Sequence, residues 1–367
     1  MLLDLIAGTR PNFMKVAPII DAIGVQRSDG AEIGFRLIHT GQHYDKNMSE
    51  QFFNELSIPQ PDVNLGAGGG SHAEQTAAIM TGYEKLLLEN GKPDLCLVVG
   101  DVTSTMACAI TAQKLHVPVA HVEGGIRSGD WSMPEEINRM VTDAVTNWFF
   151  TTSETANENL RRAGVSEERI FFVGNTMIDT LLKQRPRFTP PPVFEEASLQ
   201  KGRYFVMTLH RPSNVDEEQN LKMLMEEIIN HTRDLPLVFP VHPRTASILD
   251  RLEIGHPRLW TTEPLGYLEF NYLVENSLAV ITDSGGITEE TTVLGIPCMT
   301  LRESTERPET VTVGTNEILG TDPGAIAAAM EKLFAGKWKK GGIPERWDGK
   351  AAERIVEILS SRFYDRP

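Results

Sequence analysis

Acidic side chains fall at three places where a folded chain does chemistry: Asp101, Glu123, and the pair Glu135 and Glu136. Asp101 follows the apolar run Asp94 to Val99 through Gly100, and Glu123 closes the run Val117 to Val122. Glu135 and Glu136 open a helical pattern at Pro134. The connection from Glu123 to that helix is rich in glycine and ionisable residues, and is longer than a plain strand-to-helix turn needs. The ordinary alternatives are an N-cap for Asp101 and a dipole-complementing acid for Glu135. Carboxylates gathered beside a phosphate site repel, and make sense if one or more exchange protons with a bound molecule.

The phosphate candidate is Ser284-Gly285-Gly286-Ile287-Thr288-Glu289-Glu290, after the apolar run Leu278 to Thr282. Two glycines allow close backbone approach, and the helix that follows offers free N–H groups and a positive dipole end. Glu290, one turn on, is placed to accept ribose hydroxyls. Arg10 and Arg307 can add bidentate phosphate contacts; taken singly, each reads as a surface arginine. Gly66 to Gly70 is no dinucleotide loop, because no strand-helix unit frames it, and it reads as a flexible connection. The chain has no GxxxxGK[ST] and no HExxH. No metal site is expected.

Short apolar runs alternate with helical periods along the chain. Leu2 to Ala7 is a strand that opens through Gly8-Thr9-Arg10-Pro11 into a helix with Phe13, Val16, Ile19, Ile20 and Ile23 on one face. Polar and glycine residues gather at later strand ends too, at Gly100-Asp101, Glu123-Gly125, His210-Arg211, His242-Arg244 and Ser284-Gly286. Prolines cluster from Gln184 to Val193 as a semi-rigid connection, after which the alternation restarts. This pattern predicts two α/β domains, each a doubly wound parallel sheet, with ligand bound in a crevice at the carboxyl ends of the strands.

The 367 residues suffice for two domains, and the formal charge of −15 argues against a nucleic-acid binder. Cys96, Cys108 and Cys298 show no CxxC spacing and read as buried free thiols in a reducing compartment. No apolar run is long enough to span a bilayer, so no membrane partner and a cytoplasmic location are expected.

The motifs, taken together and in order, resemble the non-hydrolysing UDP-N-acetylglucosamine 2-epimerases. They are Gly8-Thr9-Arg10-Pro11 with Lys15, Gly100-Asp101, His121-Val122-Glu123 with Gly125 and Arg127, and Pro134-Glu135-Glu136 with Asn138-Arg139. Gly174-Asn175 with Asp179, Asp283 to Gly286 with Glu289-Glu290, and Glu306-Arg307-Pro308-Glu309 complete the series. The resemblance implies GT-B architecture, two Rossmann-like doubly wound domains facing a central cleft. Residues 1–173 plus a C-terminal helix at about 352–367 would form the first domain, and residues 174–351 the UDP-binding domain. It implies interconversion of UDP-GlcNAc and UDP-ManNAc for polysaccharide biosynthesis, in a homodimer without metal or other cofactor. UDP would be eliminated to leave a 2-acetamidoglucal and then added back. By resemblance Asp101, Glu123 and Glu135 are the acid/base candidates, with His210 beside the diphosphate. Arg10, Lys15, Arg139, Phe270, Ser284, Gly285, Gly286, Glu290 and Arg307 are the implied substrate contacts.

Relatives act on other UDP-2-acetamido sugars, including UDP-2,3-diacetamido uronic acids, and the sequence is compatible with these. A hydrolysing epimerase and a GT-B glycosyltransferase are the other enzyme readings. Gly124 stands where the family usually has alanine, which predicts a looser loop or room for a bulkier sugar. Some members bind a second UDP-GlcNAc as an activator; Gln42 and His43 fit that region, without clear equivalents of its downstream glutamines. Arg127 and Asp130 are expected to fix the loop between Glu123 and Glu135.

Overall fold

The computed structural model describes residues 1–41, 53, 55–215 and 217–364. The chain divides into two compact units, Met1–Lys183 with Glu345–Pro367, and Gln184–Pro344.

In the first unit β1 (Leu2–Ala7), β2 (Gly34–His39), β3 (Val63–Asn64), β4 (Leu95–Val99), β5 (Val119–Val122), β6 (Trp148–Thr151) and β7 (Ile170–Phe172) form one sheet. Its order is β3-β2-β1-β4-β5-β6-β7, and every pairing is parallel. Every residue of β4 and β5 is buried. That is why β4 reads as a continuous apolar run and β5 as one interrupted only by His121: a parallel sheet is covered on both faces. The chain direction across the sheet reverses at β1, so the ends of β1 and β4 flank the switch point where such sheets bind ligands.

The first unit runs through the helix Thr176–Gln184 as far as Lys183 and resumes at Glu345, past the glycine at 174 and ahead of position 352. Two sets of contacts account for this. Thr180 donates its hydroxyl to the Met14 carbonyl at 2.6 Å, and the buried Trp347 indole donates to the Thr152 carbonyl at 3.1 Å. The Asp179 carboxylate accepts from the N–H groups of Ala351 at 3.1 Å and Ala352 at 2.7 Å, where the C-terminal helix Ala351–Tyr364 begins. A helix start has unpaired donors, and here a side chain from a distant helix satisfies two of them.

In the second unit β8 (Phe205–Thr208), β9 (Leu237–Pro240), β10 (Leu259–Thr262), β11 (Ala279–Thr282), β12 (Cys298–Thr300) and β13 (Asn316–Ile318) repeat the plan. The order is β10-β9-β8-β11-β12-β13, again all parallel. Successive residues of β8, with Tyr204 just before it, serve opposite faces, as the two-residue strand period requires. Phe205 and Met207 pack with Leu224, Ile228 and Met330, while Tyr204 and Val206 pack with Leu273 and Val274. The proline cluster makes a short turn at Arg185–Arg187 and a short helix, Pro192–Glu196. Strand β13 has three residues, two of them polar, and carries no apolar run from which to predict it.

Asp179→Ala should leave the N–H groups of Ala351 and Ala352 without their acceptor in a buried place. A loss of about 1–3 kcal/mol is expected, read as a lower midpoint in thermal or urea unfolding. An unchanged midpoint would show that Asp179 does not tie down the C-terminal helix.

Candidate functional site

The first unit gathers its carboxylates at the ends of β4 and β5. Glu123 follows β5 and adopts a left-handed backbone, φ +72°. A non-glycine residue there costs on the order of 1–3 kcal/mol and persists only where its surroundings enforce it. Its N–H donates to the Phe150 carbonyl at 2.8 Å, and its carboxylate takes the Lys15 ammonium at 2.8 Å. Both side chains are largely buried, 12% and 3% exposed, so each ion depends on the other for its solvation. Lys15 comes from the helix Arg10–Ser28. One turn earlier Asn12 ties that helix to the sheet: its Oδ1 accepts from Gly8 N–H and Thr9 N–H at 3.1 Å, and its Nδ2 donates to Val99 O at 3.1 Å. Arg10, at the start of the helix, is exposed.

Asp101 does not cap the next helix. That helix is Thr103–Lys114, and its N-cap is Val102. The Asp101 carboxylate instead receives Arg139, at 3.1 Å from Nε and 2.5 Å from a terminal nitrogen. Arg139 is 3% exposed, and its other terminal nitrogen donates to Glu136 at 2.7 Å. Glu136 also accepts from Ser128 N–H at 2.9 Å, Ser128 Oγ at 3.0 Å and Gly129 N–H at 3.0 Å. Burial opposes its charge, but the Ser128 amide, Arg139 and the Gly129 amide prevail and hold the carboxyl below its ordinary value. Arg139 was a substrate-contact candidate; the structure places it between Asp101 and Glu136. Glu135 is half-buried and has no hydrogen-bond or ion-pair partner among the described residues.

The helix Pro134–Ala144 thus buries its polar face: Glu136, Asn138, Arg139, Thr142 and Asp143 are inside, while Ile137 is 45% exposed. Asp143 receives Arg127 at 2.7 Å, Gly125 N–H at 3.1 Å and His121 Nδ1 at 2.8 Å. Asp130 receives Ser132 N–H at 2.9 Å and its hydroxyl at 2.6 Å. The loop is therefore gathered through Asp143 and Glu136, neither of which the sequence reading singled out for that task. Their spacing from Arg139, at i, i+3 and i+7 on one helix face, was the available signal.

In the second unit the corresponding ends are those of β8 and β11. Asp283 is fully buried and gathers the loop after β8. It accepts from His210 Nδ1 at 2.6 Å, Arg211 N–H at 3.0 Å and Asn214 Nδ2 at 2.9 Å. Burial pushes against the Asp283 charge, but His210 and these donors outweigh it and hold the carboxyl low. The His210 side chain is 63% exposed, so its Nδ1 is fixed and its Nε2 edge remains presentable to a ligand.

Ser284 precedes the helix Gly285–Leu294 and makes no side-chain cap, which leaves first-turn N–H groups for an anion. A Cβ at Gly285 would lie 2.6 Å from the Glu306 carboxylate. Burial opposes that charge too, but Arg302, at 2.7 Å, brings the Glu306 carboxyl down to about 2. Arg307 is buried and pairs with Glu289. Phe270 is half-buried on the helix Tyr267–Asn276 and packs beside Leu273 and Val274. Glu290 is 4% exposed and accepts the Tyr267 hydroxyl at 2.9 Å. Burial pushes its carboxyl up to about 7, with Tyr267 opposing and Glu289 adding to the rise.

Gln42 and His43 lie outside the described residues. Among the described residues no group of three or more His, Cys, Asp or Glu is arranged to hold a metal ion, and no helix is long and apolar enough to cross a membrane. All three cysteines are free and buried.

A raised Glu290 value means that the folded state holds this proton more tightly than the unfolded chain does. Its contribution to stability therefore falls as pH rises from about 4.3 to about 7. Glu290→Gln should flatten that decline in unfolding experiments and be no less stable than the parent at pH 8. A decline as steep as the parent's would show that Glu290 is not the group that holds this proton.

Comparison with known proteins gives a consistent result. The family model for UDP-N-acetylglucosamine 2-epimerase matches residues 26–360. The UDP-N-acetylglucosamine 2-epimerase of Methanocaldococcus jannaschii is 41% identical over 377 residues, covering 99% of this chain and 100% of that protein. The UDP-2,3-diacetamido-2,3-dideoxy-D-glucuronate 2-epimerase of Pseudomonas aeruginosa is 38% identical over 358 residues, covering 97% and 98%. The crystal structure of the M. jannaschii enzyme in complex with UDP-GlcNAc and UDP superposes with a TM-score of 0.87 at 40% identity, covering 98% of this chain and 100% of that one.

Proposed function

The chain belongs to the UDP-N-acetylglucosamine 2-epimerase family, and from that premise we propose how its own residues carry the reaction. It is an isomerase acting on a nucleotide sugar, with two doubly wound units of GT-B type. The C2 proton of the sugar has no neighbouring carbonyl to acidify it. Loss of UDP across C1–C2 avoids that difficulty. A base takes the C2 proton, the C–H pair forms the C1=C2 bond, and the C1–O pair leaves with the β-phosphate of UDP. The reverse addition, with a proton delivered to the opposite face of C2, gives UDP-ManNAc.

Two faces call for two acid/base groups. Glu123 suits proton removal, because as the partner of Lys15 it stands as a carboxylate. Glu135, without a partner among the described residues, suits proton delivery. Asp101 is the third candidate, and Arg139 acts through it and Glu136 rather than on the sugar. In the second unit the first-turn N–H groups after Ser284 suit the diphosphate, with Gly285 and Gly286 allowing close approach. His210, oriented by Asp283, suits the departing phosphate oxygen. Arg10 and Lys15 add positive charge, Glu290 suits the ribose hydroxyls, and Phe270 suits the uracil. Arg307 supports this arrangement through Glu289.

The observation that carries the reading is the set of paired carboxylates at the ends of β4 and β5 in a chain 41% identical to a UDP-N-acetylglucosamine 2-epimerase. A second substrate, a UDP-2,3-diacetamido uronic acid, is favoured by the 38% identical Pseudomonas relative. A cytoplasmic homodimer serving polysaccharide synthesis is the proposed setting; the free buried thiols support a reducing compartment.

UDP-GlcNAc carrying an isotopic label in the oxygen between C1 and phosphorus should scramble that label into the neighbouring phosphate positions, followed by phosphorus NMR. UDP-ManNAc should accumulate with little free sugar. Turnover without scrambling would exclude elimination of UDP, and free sugar as the main product would favour a hydrolysing enzyme.

A further inference from the structure

His121 and Asp143 lie beneath the site rather than in it. His121 is on β5 and is 1% exposed. Its two ring nitrogens face a loop on one side and the helix Pro134–Ala144 on the other. Nε2 is 2.8 Å from the carbonyl of Gly100, the residue before Asp101. Nδ1 is 2.8 Å from Asp143, whose other oxygen accepts the N–H of Gly125, two residues after Glu123, at 3.1 Å. A single chain of polar contacts, Gly100–His121–Asp143–Gly125, therefore joins the loop that carries Asp101 to the loop that carries Glu123. Both loops are conformationally demanding, with φ of +69° at Gly100 and +72° at Glu123.

Gly124 faces this pair as well. A Cβ there would meet the Phe149 ring at 2.9 Å and Asp143 Oδ1 at 3.5 Å. The missing methyl thus makes room for the buried pair and its cover, and the expectation of a bulkier sugar finds no support in that direction.

We propose that His121 and Asp143 are positioning residues that fix the spacing of the Asp101 and Glu123 carboxylates; the inference rests on the 2-epimerase reading. A pair that only held the fold together would affect stability. A pair that sets the distance between two acid/base groups affects the chemical step, because a displacement of about 1 Å can cost a hundredfold in rate.

The test compares the parent, His121→Gln, Asp143→Asn and the double variant in steady-state conversion of UDP-GlcNAc. Asp179→Ala serves as a destabilised control outside the site. Each single variant should lower kcat by about tenfold to a hundredfold with KM within about threefold of the parent. The double variant should be no slower than the worse single, as for residues acting as one unit. The control should keep a parent-like kcat well below its melting temperature.

Single variants with kcat within about twofold of the parent would overturn the inference, as would joint changes in kcat and KM or independent losses that multiply in the double variant. Failure of both single variants to fold would show a purely structural pair and overturn it too. A parent that turns over no UDP-2-acetamido sugar overturns the 2-epimerase reading, and this inference with it. An active parent with control-like variants overturns this inference alone.

Discussion

A charge taken out of water has to meet a countercharge, and the helix Pro134–Ala144 is built on that requirement. Its inward face carries Glu136, Arg139 and Asp143 where an ordinary amphipathic helix would carry leucines. Each would destabilise the fold if left alone, since breaking a buried pair costs about 3–5 kcal/mol. None is alone: Arg139 joins Glu136 to Asp101, and Asp143 joins His121 to Arg127 and Gly125. The result is a loop and two strand ends that cannot shift without exposing an unmatched charge. Lys15 applies the same rule to Glu123 from the helix Arg10–Ser28.

In the second unit a single aspartate takes the gathering role. Asp283, at the end of β11, draws in the loop after β8 and fixes one nitrogen of His210. Glu290 departs from the pairing rule. It is buried with a tyrosine hydroxyl as its donor, and burial lifts its carboxyl to about 7. A group left at such a disadvantage is a candidate for work on a ligand, because stability alone gives no reason to keep it. Arg307 and Arg302 lie the other way: each is matched to a glutamate on its own unit and shapes the helix terminus from behind.

Much of this was legible in the sequence, for identifiable reasons. The strands β1, β4, β5, β8 and β11 were readable because a strand covered on both faces is largely apolar, with Asp4 in β1 and His121 in β5 as buried exceptions. The residues at their ends, Asp101, Glu123, His210 and Ser284, followed from where doubly wound sheets bind ligands. The strand β3, with two residues, and β13, with three, were too short to carry a period. The partners were harder. Nothing local to Asp101 points to Arg139, thirty-eight positions away, and Asp283 and Asp143 act on groups likewise distant in sequence. Arg307 read as an open phosphate ligand because sequence does not show that Glu289 faces it. Gly124 read as a loosening of the loop, whereas its missing Cβ is directed at Phe149 and Asp143.

The central claim is that Glu123, held as a carboxylate in its left-handed turn, moves the C2 proton. The direct measurement is deuterium uptake at C2 of UDP-GlcNAc in heavy water, comparing the parent with Glu123→Gln at matched UDP occupancy. The parent should place solvent deuterium at C2 of both epimers, and Glu123→Gln should bind UDP with little or no exchange. Parent-like exchange in Glu123→Gln would remove Glu123 from the chemistry, and turnover that retains the original C2 hydrogen would contradict proton transfer to solvent-exchanging carboxylates altogether.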